Sequence, residues 1–443
     1  MMENIKTLDK TGDHKCNDKK TEEEFDENIK KVLETQNETR FSIKRFTLAE
    51  FKRNYLLENN ASYYEARREQ VQNFVRIPLE LEQFMIFGLL QCLDSIINVF
   101  TYLPIRVIRA YCKLIVGFFI TYWFRDRTQR ILTYSEYYEL IKYSYFLICC
   151  LIVICVDTNY LYHIIKTQSM FKLYIFYNML EIGERVLSIY AQYPLDAFYY
   201  TVTQTNDSRS RSWVLYNLLP IIYMIMHCTF VTVQATTISV AVNSSQQELL
   251  MIMMSNNFNK LKRSLFKKYS KAGMQHLTCA DIRDRFHLTT LILITFGITM
   301  KELNWDFDNF CLIMRDCSIV VIAGLFLDWL KHAFINCFNG LSNKIYKDFM
   351  FDLAKDISIS KNENAYSDHS DIVARYLGFT PFPLAVMLVK AIYITISFRS
   401  RSNIIFFLLL FILMALTRIF IIIYTLAKSN EVLKSYKMQQ KQM

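Results

Sequence analysis

The feature that most constrains this chain is a run of 36 residues, Ser212 to Gln247, that contains no Lys, Arg, Asp or Glu. Its central part reads WVLYNLLPIIYMIMHCTFVTVQATTISVAV and is almost entirely apolar. A helix needs about 20 apolar residues to cross a hydrocarbon layer about 30 Å thick. The run exceeds that length and therefore predicts a membrane-spanning helix.

Three shorter charge-free runs predict further spans: Tyr143–Val156, Phe286–Met300 and Ser402–Thr417, with 14, 15 and 16 residues. The first and last continue past a single charge into more apolar sequence, and one charge is tolerated where it faces other helices. Solid apolar blocks argue against a β-barrel, whose strands alternate. We predict an all-α, polytopic helical membrane protein with roughly seven or eight transmembrane helices plus amphipathic interfacial helices.

The formal net charge of +10 is concentrated next to the apolar blocks. Segments 105–130 and 248–285 each carry a net charge of +5, and the tail 428–443 carries +3. Short Lys/Arg-rich connections stay in the cytosol. Because every basic cluster adjoins an apolar block, we expect the lipid bilayer as the partner and no nucleic acid.

This charge rule predicts a complete topology. Residues 1–82 form a charged, partly disordered cytosolic region without a signal-peptide core, 83–427 a polytopic membrane domain and 428–443 a basic cytosolic tail. Within the domain, 84–104 and 108–124 form a hairpin whose second arm is spanning or re-entrant. The spans 143–165, 286–303 and 377–397 leave the cytosol, and 166–211 is lumenal. The spans 213–240, 311–335 and 403–427 return to the cytosol.

Six charged residues lie within or at the edge of the apolar blocks: Asp94, Asp157, Asp328, Lys331, Lys390 and Arg418. An unpaired charge in hydrocarbon is costly, so these side chains should face the helix bundle or pair. Asp328 and Lys331 are three residues apart and could pair on one helix. Two interpretations stay open: polar contacts between helices, or a channel or transporter route lined by Asp94, Asp157 and Lys390.

A basic amphipathic segment, 251–273, follows the longest apolar run. Its apolar side chains recur at helical spacing, and its basic residues include Lys262, Arg263, Lys267, Lys268 and Lys271. Such a helix can lie on anionic lipid or bind an acidic partner. We predict a cytosolic docking helix here, with an ordinary solvated helix as the alternative.

A second amphipathic segment is 171–200. Glu181 and Arg185 are spaced for an i,i+4 ion pair, beside an apolar stripe formed by Ile182, Val186 and Tyr190 together with Leu187. The segment is too polar to span a membrane comfortably. We predict an interfacial helix on the lumenal side, lying on the membrane or against the bundle.

The sequence shows no recognisable catalytic, nucleotide-binding or metal-binding motif. It contains no P-loop, GxGxxG, GxSxG or HExxH pattern. The acidic groups around Asp306 and Asp368 lack the spacing of a metal site. We therefore expect neither an enzyme nor a bound cofactor or metal.

Six ordered segments carry a family resemblance: LYIFYNMLEIGERVLSIYAQ (173–192), LDAFYYT (195–201), NSSQQELLMIMMSNNFNKLKRSLFKKY (243–269), DIRDRF (281–286), DWLKHAFINCFN (328–339) and NAYSDHSDIVARYLGFTPFPLAV (364–386). Together they resemble the transmembrane anterior posterior transformation protein family, which has an older cytomegalovirus-receptor-like domain label. The similarity runs from about residue 80 to residue 430.

The resemblance implies a multi-pass endoplasmic reticulum membrane protein. For animal members it implies a role in primary cilium formation, with the Golgi or the cilium basal body as further locations. For fungal relatives it implies a complex with a SUN-like-domain membrane protein that protects newly made soluble proteins. It supplies no catalytic residues. We accordingly expect a membrane scaffold in secretory-pathway protein folding or trafficking.

Overall fold

The protein is described here by a computed structural model that covers residues 43–52, 61–124, 132–203, 211–242, 258–259, 261–264, 267–360, 376–395 and 401–442. Within these residues there is no strand, which confirms the all-α prediction. The chain divides after Arg68 into two compact units. The helices are α1 (Ile43–Phe51), α2 (Ala61–Phe100), α3 (Tyr102–Phe124), α4 (Tyr134–Cys155), α5 (Thr158–Lys166), α6 (Met170–Tyr190), α7 (Gln192–Thr203), α8 (Arg211–Val242), α9 (Lys271–Glu302), α10 (Phe307–Asn339), α11 (Ile345–Ser360), α12 (Pro381–Thr395) and α13 (Arg401–Gln442).

Five helical segments in the described part of the chain are long and apolar enough to cross a membrane: Ala61–Phe119, Tyr134–Cys155, Tyr216–Val242, Phe307–Asn339 and Ile405–Met438. The first of them combines α2 with most of α3. A shorter apolar helix is Pro381–Thr395. Leu408, Leu413 and Phe420 on α13 are large apolar side chains that stay exposed. An outward apolar face of this kind is what a lipid-facing helix requires, so the polytopic prediction is confirmed.

The predicted hairpin of 84–104 and 108–124 is wrong. Only Thr101 lies between α2 and α3, and its N–H still donates to the carbonyl of Ile97 at 3.0 Å, as in a helix. A helical hairpin needs a connection of about two to five residues to reverse the chain. The two helices therefore follow one another in nearly one direction.

The predicted span 143–165 is also wrong at both ends. Asp157 accepts hydrogen bonds from the N–H groups of Asn159 and Tyr160, so it caps a new helix, α5, instead of continuing α4. At the other end α4 begins earlier, at Tyr134, with a capping box formed by Thr133 and Glu136. Aspartate favours such N-cap positions because its oxygens satisfy free N–H groups at a helix start.

Helices α4, α8 and α12 run parallel. The predicted topology instead has 213–240 crossing against 143–165 and 377–397, so this part of it is wrong. Tyr145 and Phe146, in the middle of α4, contact Asn217 and Phe382 near the starts of α8 and α12. Further along each helix, Val156 contacts Lys390 and Thr232 contacts Met387.

Helix α6 runs antiparallel to α8 and packs along it. Tyr223 donates to the Leu187 carbonyl, and Gly183 lies so close to α8 that an added Cβ would meet the Phe230 ring at 2.4 Å. The 21 residues of α6 are about 31 Å long, enough to cross the hydrocarbon layer. Of the two positions predicted for this segment, on the membrane or against the bundle, the structure shows the second.

The side chains of α6 explain why the sequence misleads. Glu184 is buried, whereas five apolar residues of α6 are exposed and recur on one face: Ile175, Met179, Ile182, Val186 and Ile189. The predicted stripe splits, because Leu187 is buried while Ile182 and Val186 face outward. This is the inverse of a helix on a soluble protein and is typical of a helix whose apolar face meets lipid.

The start of α9, helix α11 and the end of α13 lie together on one side of the bundle. Lys271 pairs with Asp348, and the Phe351 and Tyr436 rings stack with centroids 4.1 Å apart. Glu80 on α2 also reaches this side, where it pairs with Lys347 at 2.9 Å. The predicted basic tail is thus helical to Gln442 and packs on α11.

Candidate functional site

A cavity of about 120 Å³ lies between α6, α8, α9 and α10. Its walls carry an unusual number of charged side chains for a membrane protein: Glu181, Glu184 and Arg185 from α6, Asp281, Asp284 and Arg285 from α9, and Asp328 and Lys331 from α10. Charged residues inside a membrane bundle are rare and point to function. We take this charged network, together with Glu82 and Arg283, as the candidate site.

Arg285 joins three helices. Its guanidinium donates to Glu82 on α2 at 2.8 Å and to Asp328 on α10 at 3.1 Å. The indole N–H of Trp329 donates to the same Glu82 oxygen at 2.7 Å. Charge-assisted bonds of this kind are roughly twice as strong as neutral ones, so they fix the relative position of the helices.

Asp281 anchors the second part of the network. It accepts from Lys331 at 2.7 Å and from the His332 Nε2–H at 2.9 Å, while Lys331 also reaches Asp328 at 3.1 Å, as the sequence predicted. A cation and an N–H donor therefore both contact Asp281, and these contacts compensate part of the cost of burying its charge.

His332 is fully buried and its tautomer is fixed. Because Nε2–H donates to the Asp281 carboxylate, Nδ1 accepts a hydrogen bond from the Tyr346 hydroxyl, at 2.9 Å. The Tyr346 oxygen in turn accepts from the amide of Asn336 at 3.1 Å. The chain of bonds ties α10 to α11 and to α9.

Arg185 joins α6 to α9. It pairs with Asp284 across the cavity and with Glu181 at 3.5 Å on its own helix, which confirms the predicted i,i+4 pair. Arg283 contacts Asp284 as well, at 3.3 Å. Asp284 therefore lies between two guanidinium groups.

Glu184 differs from the other carboxylates. It is 5% exposed, lines the cavity and accepts from the Ser188 hydroxyl at 2.7 Å. The nearest ring nitrogen is His227 Nε2 at 4.0 Å, and no Lys or Arg in the described part of the chain lies within ion-pairing distance. The hydroxyl of Tyr223 lies 3.0 Å from the Leu187 carbonyl oxygen and 2.7 Å from His227 Nδ1, so this histidine is held on its Nδ1 side while its Nε2 faces Glu184.

Glu184 is the carboxylate of this network that has no basic partner among the described residues. The other carboxylates, at 82, 181, 281, 284 and 328, pair with the basic side chains at 185, 283, 285 and 331. A buried carboxylate without a cation is expensive in a low-dielectric interior, so the site favours an added cation at Glu184.

The other predicted intramembrane charges lie outside this cavity. Arg418 pairs with Asp94 at 3.2 Å and stacks over the Tyr102 ring at 4.2 Å. Lys390 is buried and donates to the Val156 carbonyl at 2.9 Å, beside the helix-capping Asp157. Of the six, only Asp328 and Lys331 enter the charged network.

The predicted basic helix 251–273 agrees with the structure in part. Residues 258–259 and 261–264 are helical, whereas 267–270 are not, because Ser270 caps the start of α9. Residues 251–257, 260 and 265–266 lie outside the described residues. The side chains of the predicted docking residues are exposed at the surface: Lys262, Arg263, Lys267, Lys268 and Lys271. Lys271 differs from the rest because it pairs with Asp348.

Sequence analysis missed most of the charged network. The signal was present in DIRDRF, where four charges within five residues come directly before an apolar run. The charge pattern assigns these residues to a basic connection. In the structure they lie within α9, which starts at Lys271 and carries Asp281 and Arg283 into the bundle. Among the described residues, no three His, Cys, Asp or Glu side chains are placed to hold a metal ion.

Comparison with known proteins identifies the family. Residues 132–434 match the model of a eukaryotic membrane protein family. The chain belongs to this family. It is 42% identical over 399 residues to the Protein TAPT1 homolog of Drosophila melanogaster, covering 89% of this chain and 59% of that relative. No solved structure is significantly similar.

Vertebrate members of the family are similar over most of this chain. The chain is 37% identical to the human Transmembrane anterior posterior transformation protein 1 homolog, over 91% of this chain and 71% of that relative. Against the Danio rerio protein of the same name it is 36% identical, over 96% and 72%. Except for Glu82, the charged network lies inside the matched region, and three of the segments that carry the resemblance meet in it.

Proposed function

We propose that this chain is a non-enzymatic, multi-pass scaffold of the endoplasmic reticulum membrane that acts in secretory-pathway protein folding or trafficking. The observation that carries the proposal is the pairing of its intramembrane charges across helices. Arg285 alone links α2, α9 and α10. Such links hold a bundle rigid and so hold its exposed surfaces in fixed positions.

A channel or transporter is the alternative, and the same charges weigh against it. A transport route needs polar side chains that converge on one pathway. Asp94 is neutralised by Arg418, Asp157 caps α5, and Lys390 binds a backbone carbonyl. None of these three side chains lines the charged cavity.

The docking surface in this proposal is the exposed basic segment before α9. Lys267 and Lys268 lie at the side of the bundle where Lys271 meets α11. The partner proposed from the family resemblance is a SUN-like-domain membrane protein. In animal relatives the same scaffold would act upstream of primary cilium formation, in keeping with the developmental name that those relatives carry.

Affinity purification in mild detergent tests this proposal. The full chain should recover a SUN-like-domain protein in near-stoichiometric amount, and Lys267→Glu with Lys268→Glu should remove it. Lys355→Glu with Lys437→Glu, also exposed basic positions, should retain it and serves as the matched control. Recovery of no membrane partner, together with ion flux through reconstituted vesicles, would support the transporter instead.

A further inference from the structure

The charged cavity has a polar part and an apolar part. Glu181, Glu184 and Arg185 face it from α6, whereas α10 contributes the apolar Val320, Val321 and Leu325 besides its charged residues. Gly324 adds no side chain, and a Cβ placed there would meet nothing within 4 Å. The volume of about 120 Å³ equals about four water molecules and is slightly smaller than cavities that hold benzene. It fits a small polar group with an apolar attachment.

Glu184 is a buried acceptor that lines the cavity. It has one hydroxyl donor, Ser188, and no basic side chain among the described residues neutralises it. The nearest ring nitrogen, His227 Nε2, is 4.0 Å away, which is too long for a hydrogen bond. A ligand with several N–H donors and a positive charge would satisfy the remaining acceptor positions of this carboxylate.

The chemistry favours an ammonium group over a metal ion. The carboxylates are spread over three helices, and in the described part of the chain no three ligating side chains converge on one point. An ammonium ion, in contrast, offers separate N–H donors in different directions. The Arg185 side chain is 36% exposed and lines the cavity, so it can receive an anionic oxygen beside the ammonium group.

The surroundings of the cavity favour a lipid as the carrier of that group. On α6, Ile182 and Val186 alternate with the lining residues and are exposed, and on α10 Ile322 and Phe326 do the same. The helices that form the walls therefore also present apolar outer faces to the hydrocarbon layer. Acyl chains could follow these faces while a headgroup occupies the cavity.

We propose that this cavity binds the headgroup of an aminophospholipid, with its primary ammonium group at Glu184 and its phosphate at Arg185. The inference does not depend on the scaffold proposal, because it concerns the bundle interior and not the basic surface. A quaternary ammonium headgroup has no N–H to donate, so phosphatidylcholine should bind poorly. An anionic headgroup without an amine offers no cation to Glu184 and should bind poorly as well.

Nanodiscs of defined composition test the proposal with the full chain. The thermal unfolding midpoint is measured in phosphatidylcholine alone and in phosphatidylcholine mixed with phosphatidylethanolamine or phosphatidylglycerol. Binding to the native state raises the midpoint. We expect a rise with phosphatidylethanolamine only, and about tenfold or greater loss of its affinity in Glu184→Gln, since this removes one partner of a buried charge pair.

Two further variants keep the test independent of one substitution. Gly324→Leu fills the cavity from the opposite wall and should also abolish the effect of phosphatidylethanolamine. Glu80→Gln, whose partner Lys347 is 63% exposed, alters a carboxylate outside the cavity and should leave the effect intact. Equal midpoints in the three lipid mixtures would overturn the proposal, and so would a full effect in both Glu184→Gln and Gly324→Leu.

Soluble phosphoethanolamine, added to protein in phosphatidylcholine, distinguishes the lipid from a free amine. If the soluble compound raises the midpoint and phosphatidylethanolamine does not, the site takes a free amine and the lipid proposal fails. A rise with the lipid and none with the soluble headgroup supports the proposal, because the acyl chains then contribute to binding.

Discussion

At the scale of single residues, the protein places charges inside an apolar bundle and neutralises most of them in pairs. Burying an ion pair gains little stability over an apolar pair, but removing one partner leaves an uncompensated charge. Lys331 and Asp281 are the clearest case, because both side chains are about nine-tenths buried. The contribution of this ion pair to stability is therefore best measured by substituting one of its two residues.

Asp281→Asn should destabilise the protein by about 3 kcal/mol, because Lys331 then keeps only Asp328 and His332 loses its ionised acceptor. The measurement is the midpoint of thermal or denaturant unfolding in mild detergent. Glu431→Gln breaks a solvent-exposed pair with Lys428 and should cost at most about 1 kcal/mol. Similar costs for the two variants would show that the network is solvated.

At the scale of helices, α6 is held against α8 by close packing at Gly183. The Phe230 ring of α8 fills the space where a Cβ would lie, so any side chain at position 183 must displace this ring. Small residues allow such approach in membrane bundles, where packing replaces the hydrophobic effect as the main attraction between helices. Gly183 is therefore a packing residue and not a sign of flexibility.

Gly183→Leu should force α6 away from α8 and cost about 1–3 kcal/mol. Phe230→Ala in the same chain opens space for the new side chain and should recover part of this loss. Gly297→Ala on α9 is the control, since nothing lies within 4 Å of its added Cβ. Unfolding midpoints in detergent measure all three, and a Gly183→Leu protein as stable as the control would contradict the helix contact.

The pair Asp94 and Arg418 connects α2 to α13. Asp94→Leu or Arg418→Met alone should each cost about 3 kcal/mol, because each leaves a buried charge without its partner. The double variant replaces the pair by apolar groups and should be close to the original stability. A double-mutant cycle of unfolding free energies measures the coupling, and additive losses would show that the two residues do not interact.

At the scale of the whole molecule, helix directions decide the topology. Helix α9 runs parallel to α12, since Phe286 contacts Phe379 at one end and Lys301 binds the Ile394 carbonyl at the other. Because α12 is parallel to α8, the starts of α8 and α9 lie on one side. That side also holds α11 and the C-terminal end of α13.

Epitope tags can test this arrangement. A tag inserted at 207 should be reached from the same side of the membrane as a tag at the C-terminus, and a tag at 246 from the opposite side. The charge rule predicts the reverse for both positions. Antibody access before and after selective permeabilisation measures the side, and a tag at 207 found opposite the C-terminus would contradict parallel packing of α8, α9 and α12.

The sequence by itself determined that this chain is a helical membrane protein of a particular family. A charge-free, apolar run of 36 residues indicates a membrane-spanning helix, because a helix satisfies all its own backbone hydrogen bonds inside lipid. It also determined local pairs such as Glu181 with Arg185, since residues four apart on a helix are always neighbours.

Only the tertiary structure decided how the helices run relative to one another and what their charges meet. Hydropathy does not show that α6 packs in the bundle, because it averages over a charged face that packs inward and cannot distinguish that face from one in water. The network of Glu82, Asp281, Arg285 and Asp328 joins residues up to 246 positions apart, so no local pattern reveals it. Contacts of that range depend on how the helices pack, and packing is a property of the whole bundle.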